Sequence, residues 1–165
     1  MTNIKGRDDL IIMLKEHGIE YESIIHPPVA TVAEVQLYAA QIAGAHCKNL
    51  FVKGPKKDFY LLVIPDDKKI NLKQIANLIG CKRLSFASVD ELQHYLGIFP
   101  GSVSPFAIIN DSACLVRVII DNVLLTVDKI SFHPLINTET LVVNQAEFMR
   151  FMAICQHPVH DLVIE

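Results

Sequence analysis

Helix starts written in one recurring chemistry are interleaved with short runs of branched apolar residues, and that alternation limits what this chain can fold into. Thr31-Val32-Ala33-Glu34, Asn71 with Gln74, Ser88 with Glu91 and Asn144 with Glu147 each set a short polar oxygen three residues ahead of a glutamate or glutamine. Such a pair satisfies amide groups that a first helical turn leaves unbonded. Gly80 and Gly97 supply left-handed stops for two of these helices. A further helix is expected over residues 8–17, with Leu10, Ile11 and Leu14 buried and Gly18 turning after it. The helix opened by Thr31 presents Val35, Tyr38, Ala39 and Ile42 along one face, and the last helix presents Phe148, Phe151, Met152 and Cys155 as a core stripe.

Between the helices, branched and aromatic residues predict strands at 21–25, 46–53, 59–65, 83–86, 106–110, 115–121 and 141–143. The second and third form an antiparallel hairpin through Gly54-Pro55-Lys56-Lys57-Asp58. With no internal repeat and no linker, this order predicts one α/β domain over residues 1–165, a central mixed β-sheet flanked by helices. At 165 residues the chain is long enough to bury a core without metal or disulfide staples, and its 51% apolar content excludes a disordered chain.

Cys47, Cys81, Cys114 and Cys155 are scattered without a C-x-x-C pair, so they read as reduced core residues. His157-Pro158-Val159-His160 lacks the companion ligands of a zinc site, and neither a metal nor a cofactor is expected. The residues after Met1 lack a secretory apolar stretch, and no later run has membrane-spanning length. A cytoplasmic protein with no membrane partner is therefore expected. Nine of the fifteen basic residues fall between Lys48 and Arg83, against three acids there, on a chain of net charge −3. This locally basic stretch suits a polyanion, although lysines such as Lys56-Lys57 and Lys68-Lys69 also read as solvated turn residues.

Three segments concentrate polar and backbone-shaping residues. Gly101-Ser102-Val103-Ser104-Pro105-Phe106 passes from a permissive glycine to a rigid proline, a way to hold backbone amides against a ligand or to make an ordinary turn. His133-Pro134 enters a loop that reaches Asn137-Thr138-Glu139-Thr140 where a strand should end, so His133 is either a hydrogen-bonded structural residue or a site residue. Lys48, between Cys47 and Asn49, is a lysine in apolar company, either an edge residue facing water or one with an anionic ligand.

Taken in order, Cys47-Lys48-Asn49-Leu50-Phe51, then residues 100–106 with Ile109-Asn110-Asp111, then His133-Pro134 and Asn137-Thr138-Glu139-Thr140, resemble the YbaK-like family of aminoacyl-tRNA editing domains. The closest likeness is to its free-standing, prolyl-tRNA-synthetase-associated members, and it runs from Thr31 through the final helix. The resemblance implies a trans-editing hydrolase that deacylates mischarged tRNA, alanine on tRNA for proline being the typical substrate. It implies catalytic roles for Lys48, Gly101 and His133. Thr31, Asn49, Ser102, Val103, Ser104, Pro105, Phe106, Asn137 and Thr138 would bind substrate, and Lys53, Lys56 and Lys57 would contact tRNA. The partners are then aminoacyl-tRNA and, transiently, a synthetase, with no DNA.

Two departures bear on the pocket: Ala107 stands where members commonly have glycine, which would narrow it, and Ala30 replaces a bulkier residue, which would widen it. A sibling deacylase for seryl or cysteinyl esters and a non-catalytic module binding charged tRNA or a synthetase stay open as alternatives. A thiol hydrolase built on Cys47 is disfavoured by its place within a strand.

Overall fold

The computed structural model describes residues 4–28 and 42–164. Its strands are β1 (Glu22–Ile25), β2 (Ala45–Lys53), β3 (Phe59–Pro65), β4 (Ser85–Phe86), β5 (Val116–Asp121), β6 (Lys129–Phe132), β7 (Glu139–Asn144) and β8 (Val159–Leu162). They form one mixed sheet in the order β1-β7-β6-β2-β3-β5-β8, with β4 added to β2. β6 runs parallel to β2, and β5 is parallel to both β3 and β8, while the other pairs are antiparallel. The helices are α1 (Arg7–Glu16), α2 (Leu72–Ile79), α3 (Val89–Leu96) and α4 (Gln145–Ile154), joined by 3-10 turns at Pro105–Asn110 and Asn122–Leu125.

β3 shows why the sheet needs two covers. Its run Phe59-Tyr60-Leu61-Leu62-Val63-Ile64 is buried throughout, as expected of a strand packed on both faces. Phe59, Leu61 and Val63 enter the larger core, shared with α1, α3 and α4, while Tyr60, Leu62 and Ile64 enter a smaller one capped by Ile75 and Ala76 of α2. β2 divides in the same way, Phe51 with Cys47 facing the larger core and Val52 with Leu50 the smaller.

Local chemistry behaves as the residues require at most helix ends. The Asn71 side chain accepts from Gln74 N, Ser88 and Glu91 form a capping box, and Gly80 and Gly97 close their helices at φ +86° and +66°. α4 starts after Asn144 with no side-chain cap, its first amide donating to Asp128 O at 2.9 Å instead. The helix expected from Thr31 to Ile42 falls almost entirely on residues outside those described.

The strand expected at 106–110 is instead the 3-10 turn Pro105–Asn110. Pro105 removes a ladder donor, and Ser104 Oγ accepts from Phe106 N at 3.2 Å, so the apolar run coils. Phe106 thereby packs edge-on against Phe132, Phe148 and Phe151 at centroid distances of 5.7, 6.3 and 5.1 Å. β6 and β8 are strands beyond those expected, each of only four residues, too short for alternation to announce. Among the described residues no helix is long and apolar enough to cross a membrane.

Candidate active site

The candidate site lies where two parallel strands part. β2 and β6 pair only at Ala45↔Ile130 and His46↔Ser131, and β2 gains β4 as a neighbour on that edge only at Val52↔Phe86. Between these pairings β2 has no strand partner on that edge among the described residues. Lys48 lies in β2 two residues beyond the last paired rung, on the face of Leu50 and Val52, and His133 follows directly after the last residue of β6. Asn49 faces the other way, and its Nδ2 donates to Val103 O at 3.2 Å, tethering the glycine-to-proline loop to the open edge. Gly101, at φ +92°, stands against the histidine loop: a Cβ there would lie 4.0 Å from Asn137 Nδ2. The three segments are therefore neighbours.

His133 is held by its Nδ1–H, which donates to Glu139 O at 2.8 Å. A carbonyl only accepts, so in the neutral ring Nε2 carries the lone pair. Burial lowers the His133 pKa from its ordinary value; the Glu139 carbonyl partly opposes this and the nearby His26 adds to it. The two rings are 5.8 Å apart, and His26 is anchored by its Nε2 2.8 Å from Thr140 Oγ1 and by its backbone N–H on Thr138 O. The Glu139 carboxylate points to the opposite face of β7. There it accepts from Arg7 Nε at 2.8 Å, Arg7 Nη2 at 3.1 Å and Ser23 Oγ. Arg7 above all, opposed by burial and helped by Ser23, holds that carboxyl below its usual range.

The serines of the loop shape it from within. Ser102 Oγ donates to Phe99 O at 2.9 Å, Ser104 Oγ caps the 3-10 turn, and both residues are buried. Pro105, Phe106 and Ala107 are buried as well. These bonds and this burial shape the loop, and the Ala107 methyl lies in the larger core. The Gly101 and Val103 amides have no acceptor among the described residues. A cavity of about 220 Å³ opens beside them, lined by Asn49, Phe86, Ser88, Val89, Gly101 and Val103 among others, with Lys48 and His133 outside its lining.

Of the remaining expected site residues, Asn137 is exposed and Thr138 half-buried, while Thr31 lies outside the described residues, as does Ala30. Lys53 is engaged by Glu91, Nζ to Oε1 at 2.8 Å, and Lys56 and Lys57 are exposed on the β2–β3 turn. Burial, with Asp66 adding, pushes the Cys47 thiol up to about 12, far from thiolate chemistry. His157 Nε2 is committed to Asp111 Oδ2 at 3.0 Å. Sequence reasoning passed over His26, Thr140 and Arg7. Pairing of β1 with β7 brings His26 to Thr140, and α1 brings Arg7 to Glu139, although His26 directly before Pro27-Pro28 marks a strand end.

The model of the aminoacyl-tRNA editing domain matches residues 26–151, most of the chain. This protein belongs to the aminoacyl-tRNA editing domain family. The editing domain is 34% identical over 151 residues to the prolyl-tRNA editing protein ProX of Acetoanaerobium sticklandii, covering 91% of this chain and 92% of that one. It is 32% identical to the prolyl-tRNA synthetase associated domain-containing protein 1 of Bos taurus, over 89% and 86% of the two chains. A crystal structure described as a candidate trans-editing enzyme for prolyl tRNA synthetase superposes with a TM-score of 0.70 at 17% identity, covering 99% of this chain and 100% of that chain. That likeness is one of fold.

Proposed function

We propose that this editing domain is a trans-acting deacylase that hydrolyses the ester between a wrongly attached amino acid and a tRNA for proline, alanine being the amino acid removed. The observation that carries the reading is the adjacency of three segments in a chain of this family: Asn49, next to Lys48, holds Val103 O of the glycine-to-proline loop, and Gly101 stands against Asn137 of the loop that His133 opens. The likeness to ProX supports prolyl-tRNA as the tRNA class.

A synthetase that accommodates proline has no steric means of excluding alanine, and each missing methylene costs the smaller substrate only about 1–3 kcal/mol. A second, smaller sieve supplies the missing discrimination. The cavity of about 220 Å³ beside Gly101 suits a small acyl group, being below the roughly 300–1,000 Å³ of pockets for larger ligands. An aminoacyl ester is already activated, so its hydrolysis needs an aligned water and a stabilised oxyanion rather than a covalent nucleophile. The unoccupied Gly101 and Val103 amides would polarise the ester carbonyl. His133 Nε2 would accept a hydrogen bond from the attacking water or a ribose hydroxyl. Lys48 would hold the terminal nucleotide's phosphate as a point charge. Lys56 and Lys57 would meet the acceptor stem, with a synthetase as transient partner. Asn49 positions the loop through Val103 O, and its buried Oδ1, which has no partner among the described residues, would accept a hydrogen bond from the substrate in the cavity that Asn49 lines.

The test is a panel of alanyl, seryl, cysteinyl and prolyl tRNAs incubated with catalytic amounts of protein. Multiple turnovers on alanyl-tRNA for proline, with the prolyl ester spared, is the expected result. Preference for seryl or cysteinyl esters would reassign the substrate, and stoichiometric binding without hydrolysis would make this a recognition module.

A further inference from the structure

The family match begins at residue 26, yet the structure ties the segment before it into both site loops. Lys5 N–H donates to Asn110 Oδ1 at 2.7 Å, and Asn110 Nδ2 returns a bond to Lys5 O at 3.0 Å. That reciprocal pair grips the end of the turn that follows the glycine-to-proline loop. Two residues later, Arg7 reaches the Glu139 carboxylate with two parallel N–H donors, at 2.8 and 3.1 Å. This planar fork fixes direction as well as distance. Glu139 is 3% exposed, at the first position of β7, and its own carbonyl is the acceptor of His133 Nδ1–H.

We propose that residues 5–7 form a positioning brace for the candidate site, in which Arg7, acting through Glu139 from the rear of the sheet, sets the tautomer and aim of the His133 ring. Arg7 is a positioning residue and touches no substrate. The loop it closes runs from His133 to Thr138 and includes Leu135 at φ +70°, a conformation that a branched-chain residue keeps only when its surroundings enforce it. The same loop carries Asn137 against Gly101, so slack at Glu139 reaches both halves of the site. A motif scan restricted to the family region has no access to this brace, because Arg7 precedes it by sequence and meets it only through the packing of α1.

The inference rests on the editing reading only for its kinetic arm; its structural arm is independent. Nitrogen-15 spectra of the His133 ring report the tautomer in the free protein. Among the described residues, the titratable group facing that ring is His26, which follows β1 and is itself held by the Thr140 hydroxyl, while the Glu139 carboxylate and Arg7 lie behind it. In the wild type the Nδ1–H form is expected to dominate. Arg7→Met is expected to yield a mixture of both tautomers. Single-turnover deacylation should fall by about 10²-fold, as for a misplacement near 1 Å, with KM little changed. Glu139→Gln removes the fork's acceptor while the water-accessible Arg7 keeps its ion pair with Asp8, so no charge is left buried and unpaired and the ring is loosened by the same route. Arg7→Lys keeps charge without the fork and should recover only part of the rate.

A folded Glu139→Gln or Arg7→Met protein with an unchanged His133 tautomer overturns the brace. Loss of the tautomer in a protein whose wild type deacylates nothing upholds the brace and overturns the proposed function instead.

Discussion

Replacing Gly101 probes the site with the least ambiguity, because its backbone rather than its bulk is what the fold uses. At φ +92° the residue occupies a region that L side chains rarely adopt, and among the described residues a Cβ there would meet only Asn137 Nδ2, at an ordinary 4.0 Å. Among those residues, space is not the obstacle. If the loop keeps its shape, Gly101→Ala carries the conformational strain alone, about 1–3 kcal/mol. For a domain of this size each kcal/mol lowers the melting temperature by about 2–4 °C. If the loop relaxes to negative φ, stability recovers, but the Gly101 and Val103 amides rotate off the ester carbonyl. Loss of one such donor costs about 10²–10³ in rate.

The two losses should thus trade against each other. Gly101→Val, branched at Cβ, should suffer more than Gly101→Ala, and Gly101→Asn, which tolerates positive φ, should suffer least. Thermal melts paired with single-turnover deacylation of alanyl-tRNA measure both quantities. If Gly101→Val melts at the wild-type temperature and hydrolyses at the wild-type rate, the assigned role of this loop is wrong.

Lys48→Met keeps most of the side-chain volume and removes the charge, so stability should stay within about 0.5 kcal/mol while turnover collapses; undiminished turnover would remove the lysine from the site. Protonation of His133 takes away the Nε2 lone pair, and its pKa is lowered from the ordinary value. Deacylation should therefore be level above about pH 6.5 and fall toward about tenfold per unit below the lowered pKa; an acid limb that survives in His133→Gln would point to another group. Lys56→Glu with Lys57→Glu should weaken binding of intact tRNA more than hydrolysis of a minimal aminoacyl ester. The salt slope should drop by about 2, and equal effects on both substrates would place the acceptor stem elsewhere. Phe106→Ala, at a fully buried ring contacting three other phenylalanines, should cost about 3–5 kcal/mol in urea unfolding; a small loss would show that the core collapses to fill the void.

How much of the site could be read beforehand varies by residue type. Gly101, Lys48 and His133 carried signals in their own chemistry, and the segments that hold them are neighbours through Asn49 on Val103 O and Gly101 against Asn137. Ser102 and Ser104 carried an equal signal as polar side chains, yet both hydroxyls bond the backbone, Ser102 Oγ donating to Phe99 O and Ser104 Oγ accepting from Phe106 N. Hydroxyl groups bond backbone as readily as ligand, so composition alone does not separate the two uses. Lys53 looked like a tRNA contact in a basic run, and the structure gives it Glu91 from α3, a partner 38 residues away. Arg7 had no motif at all.

The chain itself determines the starts of α2 and α3, the left-handed stops at Gly80 and Gly97, the β2–β3 hairpin and the doubly buried β3, because caps, turns and alternation act across only a few residues. Tertiary packing decides that β6 lies beside β2 for just two rungs, that the apolar run after Pro105 coils into the core, and that Glu139 meets Arg7 behind the sheet. Those outcomes depend on which distant surfaces bury one another, a free energy that no local stretch of sequence contains.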